Sequence, residues 1–176
     1  MNIRDLIRRL YVKWLYIASN EARIKYLRKR GMKIGDDCLM NTLLFSEPYL
    51  VEIGNHVAIA GGTQFISHDG AIWCFRDEIK NGDIFGKIKI GNNVFIGNNC
   101  VILPNTTVGD NCIIGIGSIV RGQFPDDSVI IGNPAKVIYK TSIQRLMYRQ
   151  NKGLLLTHNL SEREKIKVIL KHFDSE

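Results

Sequence analysis

At 176 residues and 20.0 kDa the chain has the size of one compact domain with short appendages. Hydrophobic residues at 45% and charged residues at 23% exclude extended disorder. The formal charge of +7 divides into +8 for residues 1–33, −6 for 34–135 and +5 for 136–176, and the acidic middle lacks the basic stripe and stacking aromatics of a nucleic-acid binder.

The spacing of Ile3, Leu6, Ile7, Leu10, Trp14, Ile17 and Ala18 predicts an amphipathic helix within residues 3–30, with Arg4, Arg8 and Lys13 off the stripe. An uninterrupted apolar core of a signal peptide and a small-residue cleavage site are both missing. No run of 18 apolar residues is present, so a spanning helix is not expected. Two uses of the stripe follow: packing on the fold or on a partner copy, or peripheral contact of residues 1–18 with an anionic membrane, reaching a lipid-linked acceptor.

The middle of the chain is a repeat. From Ile90 an aliphatic residue recurs every six positions, at Ile96, Ile102, Val108, Ile114 and Val120, and glycine follows it at 91, 97, 109 and 115. Four positions after each aliphatic stand Val94, Cys100, Thr106, Cys112 and Ser118, all small or β-branched. An earlier run, Ile53-Gly54 with Val57, Ile59 with Thr63, then Phe65, keeps the same rule. Period six matches neither a helix nor simple strand alternation. It fits very short strands joined by tight corners, where Gly, Asn and Asp accept positive φ. Sandwich strands would recur at 8 to 12 residues, so the repeat predicts a solenoid of stacked rungs.

The two runs are out of phase. Phe65 to Ile90 is 25 residues, one more than four repeats, so residues 68–87 must leave the wall as a loop. Ile34 to Ile53 is 19, again one too many, and Pro48 marks that irregularity. Beyond the repeat, Thr141-Ser142-Ile143-Gln144 and Ser161-Glu162-Arg163-Glu164 match capping boxes, predicting helices near 142–150 and 162–173 that cover a coil end. The organisation expected is therefore an N-terminal helical cap at 1–33, a β-helix at 34–140 with its insertion at 68–87, and a helical tail at 141–176.

Three of the four cysteines, Cys38, Cys100 and Cys112, share the small-residue position of the repeat, which points to packing in a reducing cytoplasm. Cys74 lies off that register and reads as a loop residue. The Asn105 and Asn159 glycosylation patterns read as accidents of composition in such a chain.

With the repeat established, residues 34–140 resemble the hexapeptide-repeat acyltransferases. The stretch from Val94-Phe95-Ile96-Gly97 through Ile131-Gly132-Asn133-Pro134-Ala135-Lys136-Val137-Ile138 is similar to the ending of the sugar and polysaccharide O-acetyltransferase branch, and Ile66-Ser67-His68-Asp69-Gly70 resembles its catalytic histidine segment. The resemblance implies an all-β solenoid coiled left-handed, against the usual crossover rule, with N- and C-terminal α-helices. It also implies a homotrimer with sites between neighbours, acetyl-CoA as co-substrate without a metal, and a small-molecule or lipid-linked sugar acceptor. The enzyme would be cytoplasmic, with an option of peripheral placement at the inner face of the membrane.

Acyl transfer to a hydroxyl needs a base, oxyanion donors and a clamp for the cofactor. His68 stands where the wall opens into the insertion and is the candidate base, since an imidazole titrates near neutral pH and can return the proton to the leaving thiolate. His56 at a corner and His158 and His172 in the tail read as structural or solvated. By resemblance, the turn Gly97-Asn98 supplies the oxyanion donor, Gly115, Ile116, Gly117 and Ser118 contact the pantetheine, and Lys136 meets cofactor phosphate with Asn133, Pro134 and Ala135 beside it. Arg121 is a second phosphate candidate. Asp69, Trp73 and Arg76 are the acceptor candidates, Asp69 also as a group that could orient His68. Two rival readings are a zinc-dependent carbonic anhydrase type, which needs three histidine ligands where the coil offers His56 and His68, and a non-catalytic assembly subunit. No GxSxG is present, and Gly82 to Lys87 misses a P-loop.

Overall fold

The computed structural model describes residues 3–174. These divide into two compact units, one ending at Thr141 and one beginning at Ser142.

In the first unit the period-six pattern becomes three parallel sheets. The first face stacks Lys33–Ile34, Val51–Ile53, Ile88–Ile90, Thr106–Val108 and Gln123–Phe124. The second stacks Leu39–Met40, Val57–Ile59, Val94–Ile96, Ile113–Ile114 and Ser128–Gly132, and the third stacks Leu44–Phe45, Gln64–Phe65, Val101–Ile102 and Ile119–Val120. Each strand is two or three residues before a corner, except the last of the second face. Register carries the aliphatic positions onto one another: Ile53 pairs with Ile90 and Ile90 with Val108, Ile59 with Ile96 and Ile96 with Ile114, Phe65 with Ile102 and Ile102 with Val120. Their side chains point inward and are buried. Each such burial is worth ~1.5–3 kcal/mol, and none is available to a single rung, so the coil stands or falls as a stack.

The small-residue position has a second function besides space. Thr63 Oγ1 donates to Gly97 O at 2.7 Å, Cys100 Sγ to Gly115 O at 3.1 Å, and Cys112 Sγ to Pro125 O at 3.3 Å. A hydroxyl or thiol here satisfies a corner carbonyl that the short strands leave unpaired. Burial pushes the thiols of Cys38, Cys100 and Cys112 above their ordinary range, which keeps the protons they donate.

At the corner between the first and second faces, Asp37, His56, Asn93, Asn111 and Asp127 all adopt positive φ between 53° and 58°. Their side chains form rungs: Asn93 Nδ2 donates to Asn111 Oδ1 at 2.9 Å, Asn111 Nδ2 to Asp127 Oδ1 at 3.1 Å, and His56 Nδ1 lies 2.5 Å from Asp37 Oδ2. The preceding residues make a parallel ladder, in which Asn55 N, Asn92 N and Asp110 N bond to Asn92, Asp110 and Asp126 Oδ1. His56 therefore has the structural role expected of it.

The single helix expected within 3–30 is two, Ile3–Ile17 (α1) and Asn20–Lys29 (α2). Ser19 breaks it by capping α2, its side chain accepting from Ala22 N at 3.3 Å. α2 closes the coil's first edge by pairing its exposed backbone. Asn20 Nδ2 donates to Cys38 O at 2.7 Å and its Oδ1 accepts from Met40 N at 2.8 Å. Arg23 donates to Met40 O at 2.6 Å, and Arg28 to Ile34 O at 2.8 Å. Leu27 is buried beneath. α1 differs from expectation more deeply. Among its described side chains Leu15 is the buried one, with Val12 and, just past the helix end, Ala18 packed on the core, while Leu6, Ile7, Leu10, Trp14 and Ile17 of the predicted stripe are exposed. Ile3 of that stripe, with Arg4 and Arg8, has a side chain outside the described set.

At the far end Ser128–Gly132 turns back through a cis Asn133-Pro134 bond into the antiparallel strand Ala135–Lys140. The second unit holds helices Thr141–Gln150 (α3), whose first residue belongs to the first unit, and Glu162–Phe173 (α4). The predicted capping box at Ser161 is complete, with Glu164 N donating to Ser161 Oγ at 3.4 Å and Glu164 Oε2 accepting from Ser161 N at 3.0 Å. No described helix is long and apolar enough to cross a membrane.

Candidate active site

Both phase slips come together at the corner between the third and first faces. The net extra residue between Ile34 and Ile53 is one residue lost between Met40 and Phe45 and two gained after Phe45, where the chain leaves the wall and forms a 3-10 turn at Pro48–Leu50. The larger insertion leaves after Ser67, one coil further along. It is closed at its base by antiparallel pairing of His68 with Phe85 and Asp69 with Ile84, and by Gly86 N donating to Ser67 O at 2.8 Å. A Cβ on Gly86 would stand 2.6 Å from Asn105 Oδ1, so only glycine lets the loop rejoin the wall there.

This juxtaposition sets Glu47 against His68. Its carboxylate oxygens lie 3.1 and 3.2 Å from His68 Nδ1, and Oε2 also accepts from Ser67 Oγ at 2.6 Å. Ser67 Oγ in turn accepts from Glu47 N at 3.2 Å, which ties the two excursions together. The Glu47 side chain is 18% exposed and the imidazole 45%. A carboxylate held by a buried serine thus binds Nδ1 and leaves Nε2 as the ring nitrogen for chemistry. Asp69 does not orient His68, as had been one expectation. It caps the 3-10 helix Gly70–Phe75 through Ala71 N at 3.0 Å and lies 3.9 Å from Arg121, two coils along. Glu47 carried no motif of its own; the signal was the period slip beside Pro48.

Of the loop residues, Arg76 is drawn away from the acceptor role expected of it. Its guanidinium donates to Gly82 O at 2.5 Å and to Asp83 at 2.6 Å, bracing the loop. Trp73 and Phe75 are exposed, as is Cys74.

The residues expected at the cofactor gather at a different corner, between the second and third faces. Asn98 and Gly115-Ile116-Gly117 stack there, with Gly117 N donating to Asn98 O at 2.9 Å, and a Cβ on Gly97 would meet Ile116 N at 2.6 Å. Gly97 N itself donates to Ile114 O at 2.9 Å, leaving Asn98 as the donor to consider at that turn. Asn133, Pro134 and Ala135 cap the same edge, and Lys136 pairs with Ile131, which sits over Gly115. Ser118 is not available to a ligand through its side chain: it is buried, donates to Gly115 O at 2.6 Å and accepts from Gly132 N at 3.1 Å. Arg121 belongs to the His68 corner instead. Within one chain, then, the third face separates the base from the Asn98–Lys136 edge.

The exposed Gly117 and half-buried Gly115 at that edge, with Ile116 and Ile131 beside them and Lys136 adjacent, suit a thin apolar arm ending in phosphate.

Comparison with known proteins agrees with this architecture. Residues 87–122 match the family described as bacterial transferase hexapeptide (six repeats). The chain is 41% identical over 166 residues to Protein CapG of Staphylococcus aureus, covering 85% of this chain and 95% of that protein. It is 39% identical over 97 residues to the galactoside O-acetyltransferase of Escherichia coli (strain K12), covering 54% of this chain and 47% of that enzyme. A hexapeptide-repeat acetyltransferase of Vibrio cholerae O1 biovar eltor, solved in complex with acetyl coenzyme A, superposes with a TM-score of 0.57 at 28% identity over 62% of this chain and 60% of that one. The chain thus spans nearly all of CapG but about half of the galactoside enzyme. It belongs to the hexapeptide-repeat acyltransferases, and its coil is the left-handed β-helix of that family.

Proposed function

We propose that this chain is an acetyl-CoA-dependent O-acetyltransferase acting on a hydroxyl of a sugar or polysaccharide precursor, with His68 as general base and Glu47 as its positioning residue. The observation that carries this reading is the Glu47 carboxylate on His68 Nδ1, 3.1 Å away, at the mouth of the inserted loop. With Nδ1 holding its proton against Glu47, Nε2 presents a lone pair that takes the acceptor's hydroxyl proton as the oxygen attacks. The imidazolium formed is stabilised by Glu47 and returns the proton to the departing sulfur. Acetyl-CoA supplies an activated acyl group as its thioester, and Gly115, Ile116, Gly117, Asn133, Pro134, Ala135 and Lys136 would hold it, with Asn98 N–H turned to the developing oxyanion. Trp73 and Phe75 offer faces on which a sugar ring stacks.

The third face lies between His68 and that edge, so a complete site draws His68 from one copy and the cofactor edge from another. A homotrimer supplies this arrangement, as the family resemblance implies. The four free cysteines, three of them donating thiol protons to backbone carbonyls, suit a cytoplasmic setting.

The test is release of free thiol from acetyl-CoA against a panel of sugars, run beside His68→Ala. Turnover should fall ~10²–10⁴-fold in the variant while the fold is kept; an unchanged rate removes the mechanism. Co-expressing His68→Ala with Gly117→Trp, each inactive alone, should restore part of the activity in mixed assemblies. Failure to do so, with mixed assemblies formed, would place base and cofactor edge on one chain.

A further inference from the structure

The N-terminal helices present a surface that the coil leaves unused. At 3.6 residues per turn, Leu6, Leu10 and Ile17 lie on the side of α1 opposite the buried Leu15, with Ile7 and Trp14 flanking them. Ile17 is 84% exposed and Ile7 61%. Leaving such a stripe in water forfeits the burial that an amphipathic helix ordinarily finds.

The border of this stripe is aromatic and then cationic. Trp14 stacks on Tyr11 at 5.7 Å between centroids, Tyr11 meets the edge of Tyr26 of α2 at 5.9 Å, and the Arg30 guanidinium lies 5.9 Å over Tyr26. Tyr11, Tyr26, Lys25, Lys29 and Arg30 line a groove of about 490 Å³ between the two helices. Residues 1–33 carry ten Lys and Arg against two acidic residues, Asp5 and Glu21. Apolar face, ring belt and cationic groove follow one another in the order in which acyl chains, interface and phosphate headgroups lie at a bilayer surface.

From this we infer that the α1–α2 surface docks the protein peripherally on an anionic membrane, with Leu6, Ile7, Leu10, Trp14 and Ile17 in the headgroup–acyl boundary and Lys25, Lys29 and Arg30 on lipid phosphate. Self-pairing would instead set this cationic surface against another copy of itself, like charge against like. The inference deepens the proposed function, since an acetyltransferase held at the bilayer works where a lipid-linked sugar acceptor is presented. It does not need turnover to be tested.

The experiment is co-sedimentation of the full chain with vesicles of phosphatidylcholine alone and of phosphatidylcholine with phosphatidylglycerol. The expected result is binding to the anionic vesicles only, reversed by high salt and weakened about 100-fold in Lys25→Gln/Lys29→Gln/Arg30→Gln, at about 1 kcal/mol per cation. In a Trp73→Phe background the remaining Trp14 emission should shift to the blue on binding, and Leu10→Asp should abolish both signals. Absence of binding by folded wild-type protein overturns the inference. So does a Leu10→Asp variant that loses its oligomeric state in the absence of lipid, which would make the face a subunit contact. Vesicle binding without any thiol release from acetyl-CoA would instead leave the docking standing and remove the proposed reaction.

Discussion

Two corners of the same coil differ in nearly every respect that matters to function. Between the first and second faces the period is unbroken across the residue pairs at 36–37, 55–56, 92–93, 110–111 and 126–127, and their backbone and side-chain groups bond from one coil to the next. Between the third and first faces the period fails three times, by insertion at 46–50 and at 68–87 and by shortening at 121–122, and where the two insertions meet, a histidine faces a carboxylate from 21 residues away. At the first of these corners regular repetition ties the polar side chains to their neighbours on adjacent coils. Departure from it costs wall structure and releases side chains for chemistry.

The largest effect that would break this contrast belongs to His68→Ala, with its ~10²–10⁴-fold fall in turnover and little change in melting temperature. Substituting the wall should do the opposite. Ile114→Ala, at a fully buried rung, should destabilise by ~2–5 kcal/mol in a denaturant titration. Glu47→Gln should lower kcat about 10- to 100-fold, by analogy with other groups that orient a functional histidine. It should also alter the pH profile of kcat, with partial recovery in Glu47→Asp; a flat profile with lost stability alone would reduce Glu47 to a tie between the two excursions.

At the regular corner, Asn93→Ala should cost about 1–2 kcal/mol, because alanine pays for φ 53° and loses the bond to Asn111, whereas Asn93→Gly should cost less. The smallest effect is on the thiols. A disulfide reagent should titrate Cys74 at once and Cys38, Cys100 and Cys112 only on unfolding, as burial raises the latter three. Since their folded pKa values lie above the unfolded ones, their contribution to stability is intact at neutral pH and is lost as pH climbs beyond the ordinary thiol value of 9.0.

His68 was legible because it sits at the first residue of a phase slip within a recognisable segment. Glu47 was not, since its partner is set by how two excursions stack one coil apart, and nothing local distinguishes it from a solvated glutamate. Arg76 and Ser118 were misread for a related reason: a cation and a hydroxyl look available in sequence, and only packing reveals that Gly82, Asp83, Gly115 and Gly132 already use them. The α1 stripe taught the converse, for periodicity identified an apolar face but not whether this chain covers it.

Six-residue spacing of Ile, Val and Phe, with Asn, Asp and Gly at the corners, by itself determined the coil, its insertions and the location of the histidine, because inward burial and positive φ are demands each residue type meets locally. Which carboxylate holds that histidine, which polar groups the wall consumes and which face of α1 meets the core were decided only by tertiary structure. Those outcomes depend on contacts between coils and helices far apart in the chain, where geometry rather than residue type selects the partner.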